Sequence, residues 1–340
     1  MKLLKIFTFI YILLFIASAC KDNDDDNIVE PQVYTIEPVN ITDNKAVLRA
    51  NCILDKKKFE LVFEWKKVSD SILHTAIQQA IHGICSFPVD NLEEDTEYTV
   101  RALMIDMDSD TLYGKEIGFR THGTMQDIDG NTYLTMRYGK SVWMTENLRV
   151  TRYSDGMPIE ARTGGINEDE DGPVYYQSLN HTPYYTNPNF GLLYNWAAAV
   201  RAEDCKSEIY IPLTENVQGV CPEGWHLSSQ GEWFAMTFLY GGFEEAAASM
   251  KTENWITEPI YTVNNYSQFS VEPAGFYYYE ASSNGSFNGV YKNAFFWTKD
   301  QVYDIHRVSA FAYVILPENP NVTRINMRKC AGYSVRCVKD

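Results

Sequence analysis

The 340-residue sequence has no Gly-x-Ser-x-Gly, no glycine-rich phosphate loop, no His-Glu-x-x-His and no Cys-x-x-Cys. The first three absences remove the usual signatures of serine hydrolases, nucleotide-phosphate enzymes and zinc peptidases. The fourth, with only six histidines, leaves no zinc-ligand spacing. Cations are scarce, 29 lysines and arginines against 45 acids, for a formal charge of −16. Phosphate contacts need a basic patch, so nucleic acid is not an expected partner. A purely electrostatic hold on anionic lipid is not expected either. A membrane-length apolar run is also missing at the N-terminus. Residues 6–19 make about 21 Å of helix, whereas a span needs roughly 20 residues. No catalytic residue, cofactor site or metal-ligand set emerges, and the protein is expected not to be an enzyme. Acids are too numerous for a carboxylate pair suited to glycoside cleavage to be singled out.

What the N-terminus has is the layout of an export signal. Lys2 and Lys5 precede the apolar stretch, and the small residues Ala17, Ser18 and Ala19 lead into Cys20. A cysteine directly after small residues resembles a bacterial lipobox, with Ala17 where leucine is usual. The resemblance implies a signal peptide over 1–19 and acyl chains such as palmitate on Cys20. Outer-membrane lipid is then the first partner. Removal of 1–19 takes away Lys2 and Lys5 and no acid, leaving 27 cations against 45 acids, or −18. Residues 20–32 read as an acidic, solvated linker. Within it, Lys21 to Asp26 resembles the acidic tag of lipoproteins that Bacteroidota send to the outer face of the outer membrane. An ordinary cleaved signal and an uncleaved anchor are the alternatives.

The length suits two domains. Over 33–122 the pattern is period two: Ala46, Leu48, Ala50 and Cys52 share one face, as do Phe59, Leu61, Phe63 and Trp65. Such alternation marks half-buried strands. Residues 72–81 are a candidate short helical turn. Residues 92–102 and 114–121 resemble strands F and G of a fibronectin type III domain, with Tyr98 as the tyrosine-corner residue whose hydroxyl bonds back to the backbone. The resemblance implies an all-β sandwich serving as a spacer or binding arm. It also makes Cys52 and Cys85, the latter in a strand over 83–89, neighbours that can form a disulfide. Two free buried thiols are the other reading.

After Gly123 the composition changes, and blocks appear at 127–133, 142–148, 191–199, 219–233 and 332–340. Among them are Val142-Trp143-Met144-Thr145-Glu146-Asn147-Leu148, Gly191-Leu192-Leu193-Tyr194-Asn195-Trp196 and Gly332-Tyr333-Ser334-Val335-Arg336-Cys337. Their order over 124–340 resembles the Fibrobacter succinogenes major paralogous domain. That resemblance implies a C-type-lectin-like α+β fold. It also implies a distant likeness to the formylglycine-generating family, whose cysteine oxidation is not carried over. From the residues themselves, Ser229 and Glu232 form a capping box for a helix over 230–239, stopped by Gly241-Gly242. Trp233 and Met236 share its buried face. Tyr333, Val335 and Cys337 alternate as in a half-buried last strand. An even number of cysteines beyond Cys20 in an exported chain suggests disulfides. Because both ends of a lectin-like fold meet in one sheet, the resemblance implies Cys221–Cys337, which leaves Cys205–Cys330. The local pairs Cys205–Cys221 and Cys330–Cys337 are the alternative.

Three stretches are candidate sites. Asn167 to Gly172 has the oxygen donors and glycine that open a calcium loop, but Ser178 stands where a bidentate glutamate belongs. The calcium-and-sugar motif of true C-type lectins is absent. Glu318-Asn319-Pro320-Asn321 has similar letters in another order, and Trp297-Thr298-Lys299-Asp300 lacks the asparagine. The aromatic runs at 275–279 and 295–297 are the third, with Tyr277, Tyr279 and Trp297 as ligand-contact candidates for a sugar ring or a protein. The expectation is a surface-exposed, lipid-anchored binding or adhesion protein recognising a glycan or protein. A polysaccharide-active enzyme and a structural subunit of a surface assembly such as a fimbria are the alternatives.

Overall fold

The structure is a computed structural model that describes residues 30–55, 57–163, 172–176, 187–205, 210, 212, 215–255, 263–278, 285–304 and 307–340. The signal peptide, Cys20, residues 167–171, Ser178 and Tyr279 lie outside the described residues. Among the described residues, no helix is long and apolar enough to cross a membrane.

The first part is a β-sandwich. Its strands are β1 (Gln32–Val39), β2 (Ala46–Ile53), β3 (Phe59–Lys67), β4 (His74–Gln79), β5 (Gly83–Val89), β6 (Glu97–Asp106), β7 (Thr111–Tyr113) and β8 (Ile117–Arg120). One sheet runs β1-β2-β5 and the other β4-β3-β6-β7, with β8 also pairing β6. Leu48, Ala50 and Cys52 face Leu61, Phe63, Val100 and Ala102 across the core. This is the alternation read from the sequence, closed by burying both apolar faces against each other. The Tyr98 hydroxyl accepts the Glu93 N–H at 2.9 Å, and its ring stacks on Phe119. Residues 74–79 form a strand rather than a helical turn, because β3 offers them a ladder from Trp65 to Glu60.

The expected Cys52–Cys85 disulfide is corrected. Both cysteines are buried and free. They do lie inward on neighbouring strands, but Cys52 is opposite Gly83 and Cys85 is opposite Ala50. Such a diagonal pair stands about 7–8 Å apart at the backbone, beyond the usual reach of a disulfide. The Cys85 thiol donates to the Ile81 carbonyl at 3.4 Å instead.

The second part is also mostly strand. It contains β9 (Gly123–Gln126), β10 (Thr132–Tyr138), β11 (Ser141–Met144), β12 (Glu160–Arg162), β13 (Val174–Tyr176), β14 (Leu193–Tyr194), α1 (Trp196–Val200), β15 (Trp225–Leu227), α2 (Gln230–Phe238) and α3 (Ala246–Met250). There follow β16 (Phe276–Tyr278), β17 (Ser286–Asn288), β18 (Ala294–Asp304), β19 (Arg307–Ile315), β20 (Val322–Met327) and β21 (Cys337–Lys339). The main sheet, β15-β21-β11-β10-β9, brings the first and last strands of this part together. A second sheet, β18-β19-β20, stands beside it. Disulfides join Cys221 to Cys337 and Cys205 to Cys330. The long-range pairing therefore forms, and the local one does not.

Arg336, fully buried beside β21, organises the core between the sheets. Its Nε donates to Asn147 Oδ1 at 3.0 Å, its other nitrogens donate to the Phe269 and Ser270 carbonyls, and it lies over the Phe269 and Phe296 rings. Burial pulls its pKa down to about 10, so it stays charged at neutral pH.

The two parts meet at His122. Its N–H donates to the Thr42 carbonyl, its carbonyl accepts from Asp95, and its buried ring lies 2.9 Å from Gln268 Oε1.

Candidate functional site

Two of the aromatic residues expected at a ligand surface are interior, and that expectation is corrected. Tyr277 is 1% exposed, with its ring stacked 4.1 Å from that of Tyr176. Its N–H and C=O both pair with Gly332 at 2.9 Å. A Cβ on Gly332 would sit 2.4 Å from the Tyr176 ring, so only glycine lets the last block pass between these tyrosines. Trp297 is fully buried, donates from Nε1 to the Tyr194 carbonyl at 2.8 Å, and packs on Tyr333. Alternation told which aromatics share a face, and the sheets that cover that face made it core.

The stretches with lectin-like letters hold structure too. The carbonyls of Leu316, Pro317 and Asn319 accept from the ammonium of buried Lys251. Asp300 accepts the Gln230 N–H at 2.6 Å, capping the start of α2. Among the described residues, no three His, Cys, Asp or Glu side chains are grouped to hold a metal ion.

A different surface is aromatic and open. Helix α2 starts at the capping box, where Ser229 and Glu232 satisfy each other's backbone N–H groups. Trp233 and Met236 face inward as expected. The opposite face carries Phe234, Phe238 and Leu239, which are 57%, 70% and 51% exposed. The Phe234 ring lies 6.1 Å from Phe238 and 5.9 Å from Phe243, which stacks on buried Tyr313. A groove of about 480 Å³ continues from this shelf, lined by Phe243, Glu244, Asn321, Val322, Thr323 and Arg324. Arg324 donates to Gln230 Oε1 at 2.8 Å and lies over the Phe311 ring. An exposed apolar patch rimmed by polar groups is how interaction sites present themselves. The signal was in the sequence: Phe234 and Phe238, at i and i+4, make α2 apolar on both faces, and one stripe suffices for packing.

A family model for the Fibrobacter succinogenes major domain matches residues 136–339, which is 204 of the 340 residues. The chain belongs to this family. Both disulfides, α2, the aromatic shelf and the groove fall inside the matched Fibrobacter succinogenes major domain. No curated protein sequence matches the chain. Among solved structures, the chain is similar to the sensor domain of the anti-sigma factor RsgI4 of Pseudobacteroides cellulosolvens. The two are 10% identical over 28% of this chain and 96% of that one, with a TM-score of 0.24. It is also similar to a myokine structure, 20% identical over 27% of this chain and 98% of that one, with a TM-score of 0.23.

One histidine cluster in the family domain resembles a catalytic arrangement but lacks the free group one needs. His226 lies 2.6 Å from Asp340 through Nδ1 and 2.8 Å from Glu232 through Nε2. Burial opposes its charge, but the hydrogen bonds and charges of the two carboxylates win and raise its pKa. Both ring nitrogens are occupied, so neither can take a proton from a nucleophile. The cluster ties β15, α2 and the end of β21 together.

Proposed function

We propose that this protein is a lipid-anchored, cell-surface binding protein without catalytic activity, and that its family domain recognises a glycan or protein ligand. Acyl chains on Cys20 hold it in the outer membrane, and the acidic linker over 20–32 gives it reach. The first part is a fibronectin III-like spacer, and the second is a C-type-lectin-like recognition domain. The shelf of Phe234, Phe238 and Phe243 beside a polar-rimmed groove carries this reading. Three rings on a disulfide-stapled frame offer apolar area at low entropic cost.

The test is an array of glycans and surface proteins probed with the full chain, with and without calcium. Binding to at least one ligand class should fall about tenfold or more in a Phe234→Ala/Phe238→Ala variant, the loss expected for a central aromatic anchor. Unchanged binding in that variant, or turnover of a polysaccharide by the unaltered protein, overturns the proposal.

A further inference from the structure

We propose that β20 is an acceptor edge: an extended, cationic peptide segment adds to it as a fourth strand and lays apolar side chains on the Phe234–Phe243 shelf. This deepens the binding reading above and rests on it.

The edge is open in a defined register. Strand β20 is last in the order β18-β19-β20. Val322, Arg324 and Asn326 stand opposite Ile315, Tyr313 and Phe311 of β19. The Val322 N–H donates outward, to the Phe243 carbonyl at 2.8 Å. Since antiparallel pairs alternate between bonded and unbonded, Arg324 and Asn326 also turn their N–H and C=O groups away from β19. Neither residue's outward backbone groups have a partner among the described residues. The turn at Phe243 thus makes the first rung of a ladder whose next two rungs are vacant. These rungs are spaced as an extended strand needs them, two residues or about 6.8 Å apart.

The edge also lacks the usual guards. Exposed edges are blunted by proline, bulges or projecting charge. Strand β20 has no proline and no register shift against β19. Its one charged side chain, Arg324, is folded back onto Gln230 and Phe311 rather than out across the edge.

The lining chooses the occupant. The three shelf rings are phenylalanines, with no hydroxyl or indole N–H to meet a sugar hydroxyl. They suit apolar side chains at alternate positions of a strand. Glu244 and Arg324 both line the groove and offset each other, so the preference for one sign comes from the chain as a whole, which carries −16. An acidic segment is repelled at long range and a cationic one is drawn in.

The probe is a blocked hexapeptide of alternating valine and lysine, added to the full chain in detergent micelles. Amide hydrogen exchange at Arg324 and Asn326 should slow by about tenfold at saturation, because main-chain bonds carry strand addition. The same peptide N-methylated at alternate nitrogens should bind about tenfold more weakly, and one with glutamate for lysine more weakly still. Asn326→Pro, which removes an outward N–H at an edge where proline is tolerated, should weaken binding as N-methylation does and leave the melting temperature in place. The N-methylated peptide tests the ladder on the unaltered protein even if that variant misfolds. Absence of peptide binding, or equal binding of the N-methylated peptide with both amides unprotected, overturns strand addition. In either case a ligand still lost in Phe234→Ala/Phe238→Ala leaves the broader binding reading standing. Binding unaffected by both variants overturns both.

Discussion

The Nδ1 atom of His226 lies 2.6 Å from the side-chain carboxylate of Asp340. The other ring nitrogen reaches Glu232, the residue that closes the α2 capping box. A neutral imidazole can donate to only one of these acids, and the imidazolium donates to both. One ring therefore links the last strand, β15 and the helix that carries the aromatic shelf.

That link sets a pH dependence. The folded pKa of His226 is raised above 6.5, since the bonds to Glu232 and Asp340 outweigh the burial that opposes them. Its stabilisation is complete below the unfolded value and is lost as pH climbs through the raised one. The melting temperature should fall as pH rises above 6.5, and His226→Gln should flatten that slope. Near neutral pH the substitution should cost about 1–3 kcal/mol, the worth of hydrogen bonds to charged groups. Parallel slopes in thermal melts of the two proteins would sink this account.

The junction should respond in the opposite direction. His122 is buried, and burial lowers its pKa despite the opposing bond to Gln268. The folded state thus prefers the neutral ring, and stability is lost as pH falls from the ordinary value of 6.5 towards the lowered one. As pH falls below 6.5, the amides of Asp95 and His122 should exchange faster, ahead of either core. His122→Phe should remove that acceleration. Exchange by mass spectrometry across the junction checks it.

Cys52 and Cys85 should behave as inert thiols. Burial first, and then Cys85, pushes the Cys52 thiol up to about 12, so little thiolate exists at neutral pH. Iodoacetamide should modify neither in the folded protein and both after denaturation without reductant. Mass spectrometry finding a 52–85 crosslink would contradict the register described for β2 and β5.

The two formed disulfides should matter to stability. Cys221–Cys337 spans 116 positions, and loops of that size make a crosslink worth up to about 4–5 kcal/mol by the chain-entropy account. Replacing both cysteines by alanine should lower the melting temperature by about 10 °C, read by calorimetry. An unchanged melt would mean that the pair adds nothing.

Arg336→Met should be among the most damaging single substitutions. It strands Asn147 Oδ1 and the Phe269 carbonyl in the core and the half-buried Ser270 carbonyl beside them. Each orphaned acceptor costs about 1–3 kcal/mol, so a loss of roughly 3 kcal/mol or more is expected. Arg336→Lys should rescue only part, since one ammonium cannot copy the planar fork. Urea unfolding of both variants checks the ranking.

Much of this was legible because it is local. The Ser229–Glu232 box needs four residues, and it started α2 at Gln230. The alternation from Ala46 to Cys52 needs one strand, and all four inward residues are buried. Tyr98 found its backbone partner five residues away. What escaped depended on a second element. Cys52 and Cys85 were rightly set on adjacent strands, but a diagonal register keeps them apart. Tyr277 and Trp297 have the composition of a sugar platform, and only Tyr176, Tyr194 and Gly332, distant in the chain, make them core. The Phe234–Phe238 pair was visible as a second apolar stripe, yet its exposure depended on no described strand being packed over it.

Short-range patterns by themselves determined the strand faces, the helix start and the membership of the terminal blocks in one domain, because backbone geometry and capping are settled within a few residues. The fold decided which aromatics face water, which cysteines meet, and that β20 is the last strand of its sheet among the described residues. Those outcomes are set by register and by what covers a face, and both come from chain segments as far as 103 and 125 residues apart.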